Sequence, residues 1–205
     1  MTIMAKGLKR AGDILLIILA SPFIIIVYVF LALLVWLTSG RPVIFRQERA
    51  GRGMKPFILY KFRTMRTEVD PFGPSPKEGA DPRLTKIGVF LRKTSLDELP
   101  QLWNVLRGDM SLVGPRPLYL EQAREWNERQ RRRLEVKPGL TGLAQISGRG
   151  SLTIEEKLEL DVKYVENQSL WQDCRIIYLT FISVFRGADI YEKKYSQTQE
   201  TRKKS

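Results

Sequence analysis

Residues 14–37 read ILLIILASPFIIIVYVFLALLVWL, without one charged side chain. A straight helix of that length reaches roughly 36 Å, more than the ~30 Å hydrocarbon core of a bilayer. A chain with such a segment must place it in lipid or cover it with protein. A cleaved signal peptide is a poor fit. The basic start is present (Lys6, Lys9, Arg10), but the apolar run exceeds the usual length of roughly 7–15 residues and no small-residue cleavage site follows. Two further readings stay open. Ser21-Pro22 falls a third of the way along the run, and proline removes a backbone donor and crowds the preceding turn, so a kink or break is expected there. Basic residues flank the run on both sides (Lys6, Lys9 and Arg10; then Arg41, Arg46, Arg49 and Arg52), whereas a spanning helix normally carries them asymmetrically. Symmetric flanks suit a re-entrant hairpin whose ends emerge at one anionic face. A proline-kinked spanning helix satisfies the same residues.

Charge narrows the partners. Across 205 residues, 34 Lys+Arg stand against 22 Asp+Glu, a formal net charge of +12. That balance favours polyanions: nucleic acid, anionic lipid or phosphorylated ligands. The chain has no histidine, which removes the commonest general base, Ser-His and Cys-His nucleophile pairs and most zinc sites. One cysteine, Cys174, excludes an internal disulfide. Catalysis would have to rest on carboxylates, Lys/Arg, hydroxyls, backbone amides or a metal bound through oxygen.

Beyond the apolar run, residues 43–46 and 57–62 read as short strands joined through Gly51 and Gly53. Residues 66–82 are polar and rich in Pro and Gly, hence loop. Residues 84–93 and 99–106 show apolar side chains at helical spacing. Residues 108–117 read as a turn-rich loop, 120–134 as one charged helix, and 137–150 as loop with one short strand. Residues 153–167 read as an amphipathic helix capped by Thr153 or Ser151. Residues 170–186 form a core or membrane-interface helix stopped at Gly187. The end of the chain is polar and is expected to be disordered.

The segment TSLDELPQL, residues 94–102, holds adjacent acids at Asp97 and Glu98. Ser95 to Glu98 also fits a capping box, which would make both acids ordinary helix-start residues. Pro100 disagrees, because a helix begun at Ser95 would put it where its missing N–H costs a hydrogen bond. A helix starting close to Pro100 instead leaves both acids just before a helix N-terminus. Basic residues punctuate the loops around them: Lys61, Arg92, Arg116 and Arg149. Each alone reads as a solvated charge. Arg116 is stiffened by flanking prolines, and glycines beside Arg149 let backbone amides approach an anion. The run RQRRR, residues 129–133, reads as a solvated helix face or a contact with anionic lipid.

Taken together, the Ser-Pro in the apolar run, YKFRTM at 60–65, TSLDELPQLWNVLRGDMSLVGPRP at 94–117, KPGLTGLAQISGRG at 137–150 and LELDVKYVEN at 158–167 resemble the bacterial sugar transferase family, and more narrowly its small monotopic phosphoglycosyl transferases. The resemblance runs from about Lys6 to about Arg186. It implies an α/β fold, mostly helical with a small sheet, in the minimal catalytic form. Residues 1–40 would be a re-entrant membrane helix-break-helix with its break at Ser21 and Pro22. Residues 41–190 would be a cytoplasmic catalytic domain with amphipathic interfacial helices, and residues 191–205 a polar tail. It implies Asp97 as nucleophile on the β-phosphate of a UDP-sugar, with Glu98 positioning acceptor and metal, and Mg²⁺ held by Asp97 and Glu98. Lys61, Arg92, Arg116 and Arg149 would bind phosphates, and Asp161 would stand behind them or bind substrate. The acceptor would be a polyprenol phosphate such as undecaprenyl phosphate, the products polyprenyl-diphospho-sugar and UMP, and the place the cytoplasmic face of the bacterial inner membrane.

The chemistry agrees with the residues. An aspartate of ordinary pKa about 3.9 is ionised at neutral pH and attacks without a base, which suits a chain lacking histidine. A nucleic-acid-binding protein is the first rival, but no recognisable motif accompanies the charge, so no nucleic-acid partner is expected. A structural adaptor on anionic membranes is the second. The sugar, the pathway (capsule, O-antigen, exopolysaccharide or glycoprotein) and the oligomeric state stay open, a homodimer included.

Overall fold

The computed structural model describes residues 2–69, 76 and 80–185. It is mostly helical with two small sheets. The expected tail, residues 191–205, and part of the 66–82 loop lie outside the described residues.

The apolar run belongs to α1 (Ile3–Ser39), one helix with Pro22 in its interior. The expected separation into helix, break and helix is not found. Its physical reason sits beside the proline. Pro22 has no N–H for the Ile18 carbonyl four residues back, and the Ser21 hydroxyl donates to that same carbonyl at 2.7 Å. One face of α1 is covered by the rest of the chain: Ile17 packs with Leu59, Val105 and Met110, and Leu31 and Val35 pack with Phe62 and Leu91. The other faces leave Leu15, Leu19, Phe23, Ile26, Phe30 and Leu37 exposed. Among the described residues this is the one helix long and apolar enough to cross a membrane.

Both ends of α1 are clasped. The Arg10 guanidinium donates to the Val105 and Leu106 carbonyls. Lys9 pairs with Asp173 at 2.6 Å, and the buried Asp13 carboxylate accepts from the Ser111 hydroxyl at 2.7 Å. At the far end Arg63 donates to the Ser39, Gly40 and Arg41 carbonyls. Asp13 and Val35 are about 33 Å apart along an ideal helix, yet both are buried against the same body.

The first sheet is an antiparallel hairpin, β1 (Ile44–Ala50) with β2 (Pro56–Phe62), in the register Ile44 opposite Phe62 and Ala50 opposite Pro56. The free edge of β2 is satisfied by a side chain: buried Asn104 accepts from the Tyr60 N–H at 3.2 Å and donates to the Ile58 carbonyl at 2.7 Å. Helix α2 (Lys86–Lys93) is capped by Thr85, whose hydroxyl accepts from the Gly88 N–H. Helix α3 (Gln101–Arg107) starts from Pro100, as the proline argument requires.

The loop expected at 108–117 and the short strand expected within 137–150 meet in a second, parallel sheet, β3 (Ser111–Val113) with β4 (Gly139–Thr141). Its crossing is close. A Cβ on Gly139 would lie 2.0 Å from the Gly114 nitrogen, so only glycine lets these backbones meet. The expected single helix over 120–134 is interrupted into α4 (Leu120–Arg124), α5 (Glu128–Arg131) and a 3₁₀ turn, Arg132–Glu135. Asn127 restarts the chain by capping α5, accepting from the Gln130 N–H at 2.9 Å. The short α6 (Leu143–Ile146) follows β4. Thr153 and Glu156 form the capping box of α7 (Ile154–Glu166). Helix α8 (Leu170–Phe185) buries Ile176 against Val113 and Tyr164 while exposing Trp171, Tyr178 and Phe181.

The RQRRR run is not one solvated face. Arg129 and Arg132 pair with Glu159 and Glu166 on the surface, whereas Arg133 is buried against Asp161.

Candidate active site

Asp97 and Glu98 sit in a 3₁₀ turn, Leu96–Glu98, between α2 and α3. Ser95 does not cap a helix. It adopts the left-handed conformation (φ 57°, ψ 16°) and makes no capping bond. A side chain there costs about 1–2 kcal/mol, and such strain gathers where a chain must aim a functional group. The turn directs both acids toward β2 and the Gly114–Pro117 loop.

Lys61 projects from β2, and its Nζ lies 2.8 Å from Glu98 Oε1 and 3.9 Å from Asp97 Oδ2. Arg116 reaches the same Glu98 oxygen at 2.6 Å. Both acids are largely buried, but they differ in charge state. Burial raises both carboxyls. At Glu98 that rise is overcome by Arg116 and Lys61, which hold it well below the carboxylate range. At Asp97 burial wins: with Glu98 beside it, its carboxyl lies above the ordinary value despite Lys61, Arg92 and Arg116. The pair is therefore one firmly ionised acid and one more basic neighbour. Arg92, near the end of α2, is held by its Nε donating to the Thr64 hydroxyl at 2.9 Å and lends positive potential to Asp97.

Glu98 Oε2 and both Asp97 oxygens take no hydrogen bond among the described residues. They are hard oxygen donors left open on one side of a cationic rim. No group of three or more acidic, His or Cys side chains gathers among those residues. A Mg²⁺ site needs no such group, because that ion keeps waters and takes one or two carboxylates together with substrate phosphates. Asp97 and Glu98 fit it.

The structure thus brings together Asp97, Glu98, Lys61, Arg92 and Arg116. Arg149 opens a 3₁₀ turn, Arg149–Ser151, but its side chain lies outside what is described. Asp161 is not at the acid pair. It is buried on α7, accepting from Arg133 Nη2 at 2.6 Å and Nε at 3.0 Å. Arg133 itself went unnoticed within a run of charge. No sequence signal singles it out: on a regular helix Arg133, fourth after Arg129, would share that residue's face, and it is the 3₁₀ turn at Arg132–Glu135 that accompanies its inward path to Asp161.

Residues 4–187 match the family model described as bacterial sugar transferase. The chain is 46% identical over 188 residues to the uncharacterized sugar transferase EpsL of Bacillus subtilis, covering 92% of each chain. It is 46% identical over 188 residues to the UDP-glucose:undecaprenyl-phosphate glucose-1-phosphate transferase of Escherichia coli, across 88% of this chain but 40% of that relative's length. To the exopolysaccharide production protein PSS of Rhizobium leguminosarum it is 43% identical over 196 residues, 86% of this chain and 94% of the relative. With an acid pair framed by cations, an apolar helix clasped at both ends and matches of this length, the chain belongs to the bacterial sugar transferase family.

Proposed function

We propose that the protein transfers a sugar-1-phosphate from a UDP-sugar to polyprenol phosphate, through a phosphosugar carried on Asp97. One observation carries the reading. Glu98 takes Lys61 and Arg116 on a single oxygen and leaves the more basic Asp97 with neither oxygen hydrogen-bonded among the described residues, Lys61 standing 3.9 Å from its Oδ2.

In the first step an Asp97 oxygen attacks the β-phosphorus of the donor. The bond from that phosphorus to the bridging oxygen breaks, and UMP leaves with that oxygen. In the second step an anionic oxygen of polyprenol phosphate attacks the same phosphorus and the Asp97 carboxylate departs, giving polyprenyl-diphospho-sugar. Both nucleophiles are already anions, so no histidine is required. Lys61, Arg92, Arg116 and Arg149 clamp the phosphates. Mg²⁺, held by Asp97 and Glu98, neutralises phosphate charge when bound. Glu98 stays ionised throughout, keeping Lys61 and Arg116 in place for donor and acceptor.

The acceptor's lipid chain explains why the acid pair shares a body with α1. The exposed face of α1 lies in the inner membrane and the acid pair on its cytoplasmic side, where UDP-sugars are found. A re-entrant path, with α1 bending at Pro22 without separating into two helices, supports this better than a crossing, since Arg10 and Arg63 tie both helix ends to one body. With Cys174 replaced by Ser, cysteines introduced as Met4→Cys and Arg46→Cys should label from the same face; labelling from opposite faces overturns the re-entrant path. For the chemistry, a panel of UDP-sugars is screened for UMP release, and the acid-quenched enzyme is searched for a phosphosugar mass on the peptide containing Asp97. Release of UDP instead of UMP would sink the proposal.

A further inference from the structure

Arg133 is 2% exposed and Asp161 is 2% exposed, joined at 2.6 Å. A buried ion pair is a poor device for stability alone, because desolvation offsets most of the attraction. This pair has a third member. Arg133 Nη2 also donates to the backbone carbonyl of Arg116, while its guanidinium lies over the Trp126 ring at 4.7 Å. The preceding peptide is fixed too: the Pro115 carbonyl accepts from the Gly139 N–H at 2.8 Å. Prolines on both sides restrict the backbone around Arg116. With the carbonyls of residues 115 and 116 both anchored, the Arg116 Cα–Cβ direction is set, and its guanidinium meets Glu98 Oε1 at 2.6 Å.

We infer that Arg133, oriented by Asp161, is a positioning residue that aims Arg116 at the reacting phosphates. The chain of contact runs from α7 through Asp161 and Arg133 to the Arg116 carbonyl, and from the Arg116 side chain to Glu98. Arg133 supplies what a hydrophobic replacement cannot: one planar fork whose Nε and Nη2 both donate to Asp161 Oδ2 while Nη2 also holds the Arg116 carbonyl. The inference rests on the phosphotransfer reading above, since it assigns a task to one of its clamps.

A mutant cycle on donor turnover tests it, with UMP release by the full chain in detergent or nanodiscs as readout. Asp161→Asn keeps the side-chain volume and removes the charge that orients Arg133. It should lower kcat/KM about 10- to 100-fold, the scale expected when a clamp shifts by about 1 Å. Combined with Arg116→Ala, the same substitution should cost nothing further, because the residue it aims is gone. Equal losses in both backgrounds would overturn the inference and leave a structural pair. Thermal melts accompany each variant. Where Asp161→Asn does not fold, Arg133→Lys serves: it keeps a cation for Asp161 and removes the fork that reaches the Arg116 carbonyl, and the same non-additivity is expected. The two proposals fail separately. Wild-type protein that releases no UMP from any UDP-sugar defeats the functional reading, whereas active wild type with additive variants defeats only the positioning role.

Discussion

Two ionic clusters in this chain use the same side-chain types and do different work. On the surface, Arg129 meets Glu159 at 2.7 Å and Arg132 meets Glu166 at 2.6 Å, across a face shared by α5, the following turn and α7. At the acid pair, Lys61 and Arg116 converge on one oxygen of Glu98 at comparable distances. Distance therefore does not separate them. Burial and stoichiometry do. The surface pairs are open to water, which screens them and offers each partner a substitute. In the inner cluster the two carboxylates and Lys61 are shielded, while Arg116 reaches in from the exposed side, so two adjacent carboxylates are set against cations from β2 and the Gly114–Pro117 loop. Its charges perturb one another strongly, and Asp97 and Glu98 move in opposite directions. A site is distinguished by unequal neighbours in a dry place.

The largest expected effect tests that inequality at its centre. Asp97→Asn keeps shape and removes the nucleophile, and UMP release should fall by about 10⁴-fold or more while the thermal melt changes little. Activity retained within tenfold would mean that the cluster is structural. Next in size, Arg116→Ala should lower turnover about 10²- to 10³-fold, the cost typical of one lost charge-stabilising donor. A KM change alone would instead make Arg116 a simple binding group.

Proton linkage sharpens the comparison further. Asp97 reacts as a carboxylate, so activity is present above its pKa and lost as pH falls through it. Burial and Glu98 raise that pKa, so the acid limb should lie above the ordinary carboxylate value of about 3.9. Glu98→Gln removes a neighbouring negative charge and leaves Lys61 and Arg116 acting on Asp97, and the limb of the residual activity should move to lower pH. A limb that stays or moves up would contradict the coupling. The smallest effect belongs to the surface cluster: Arg129→Ala should leave kcat/KM and the melting temperature unchanged within error. A clear loss of activity there would erase the distinction between the two regions.

Much of this arrangement could be read before any coordinates. The helical spacing of α2, α3 and α7 and the short apolar run of β2 are local patterns, and the elements fall close to where those patterns put them. Pro100 argued against a cap at Ser95, and Ser95 is left-handed with no capping bond. Other features were out of reach because they depend on which segments meet. The helix through Pro22 continues because a neighbouring hydroxyl happens to reach the orphaned Ile18 carbonyl. The β3–β4 sheet needs two segments, far apart in sequence, to cross at glycines. Cys174, excluded from an internal disulfide by being alone, is exposed on α8.

Residue identity alone settled the chemistry available: no histidine, adjacent carboxylates, cations at spaced motifs and an apolar run that demands lipid or cover. These follow from composition and short-range order, which survive in an unfolded chain. Folding decided how like charges are used. From one run of arginines it sent Arg129 and Arg132 to water and Arg133 inward to Asp161 and the Arg116 carbonyl. Burial and long-range pairing set the strength of a charge, and both exist only once α7, the Gly114–Pro117 loop and β2 have come together.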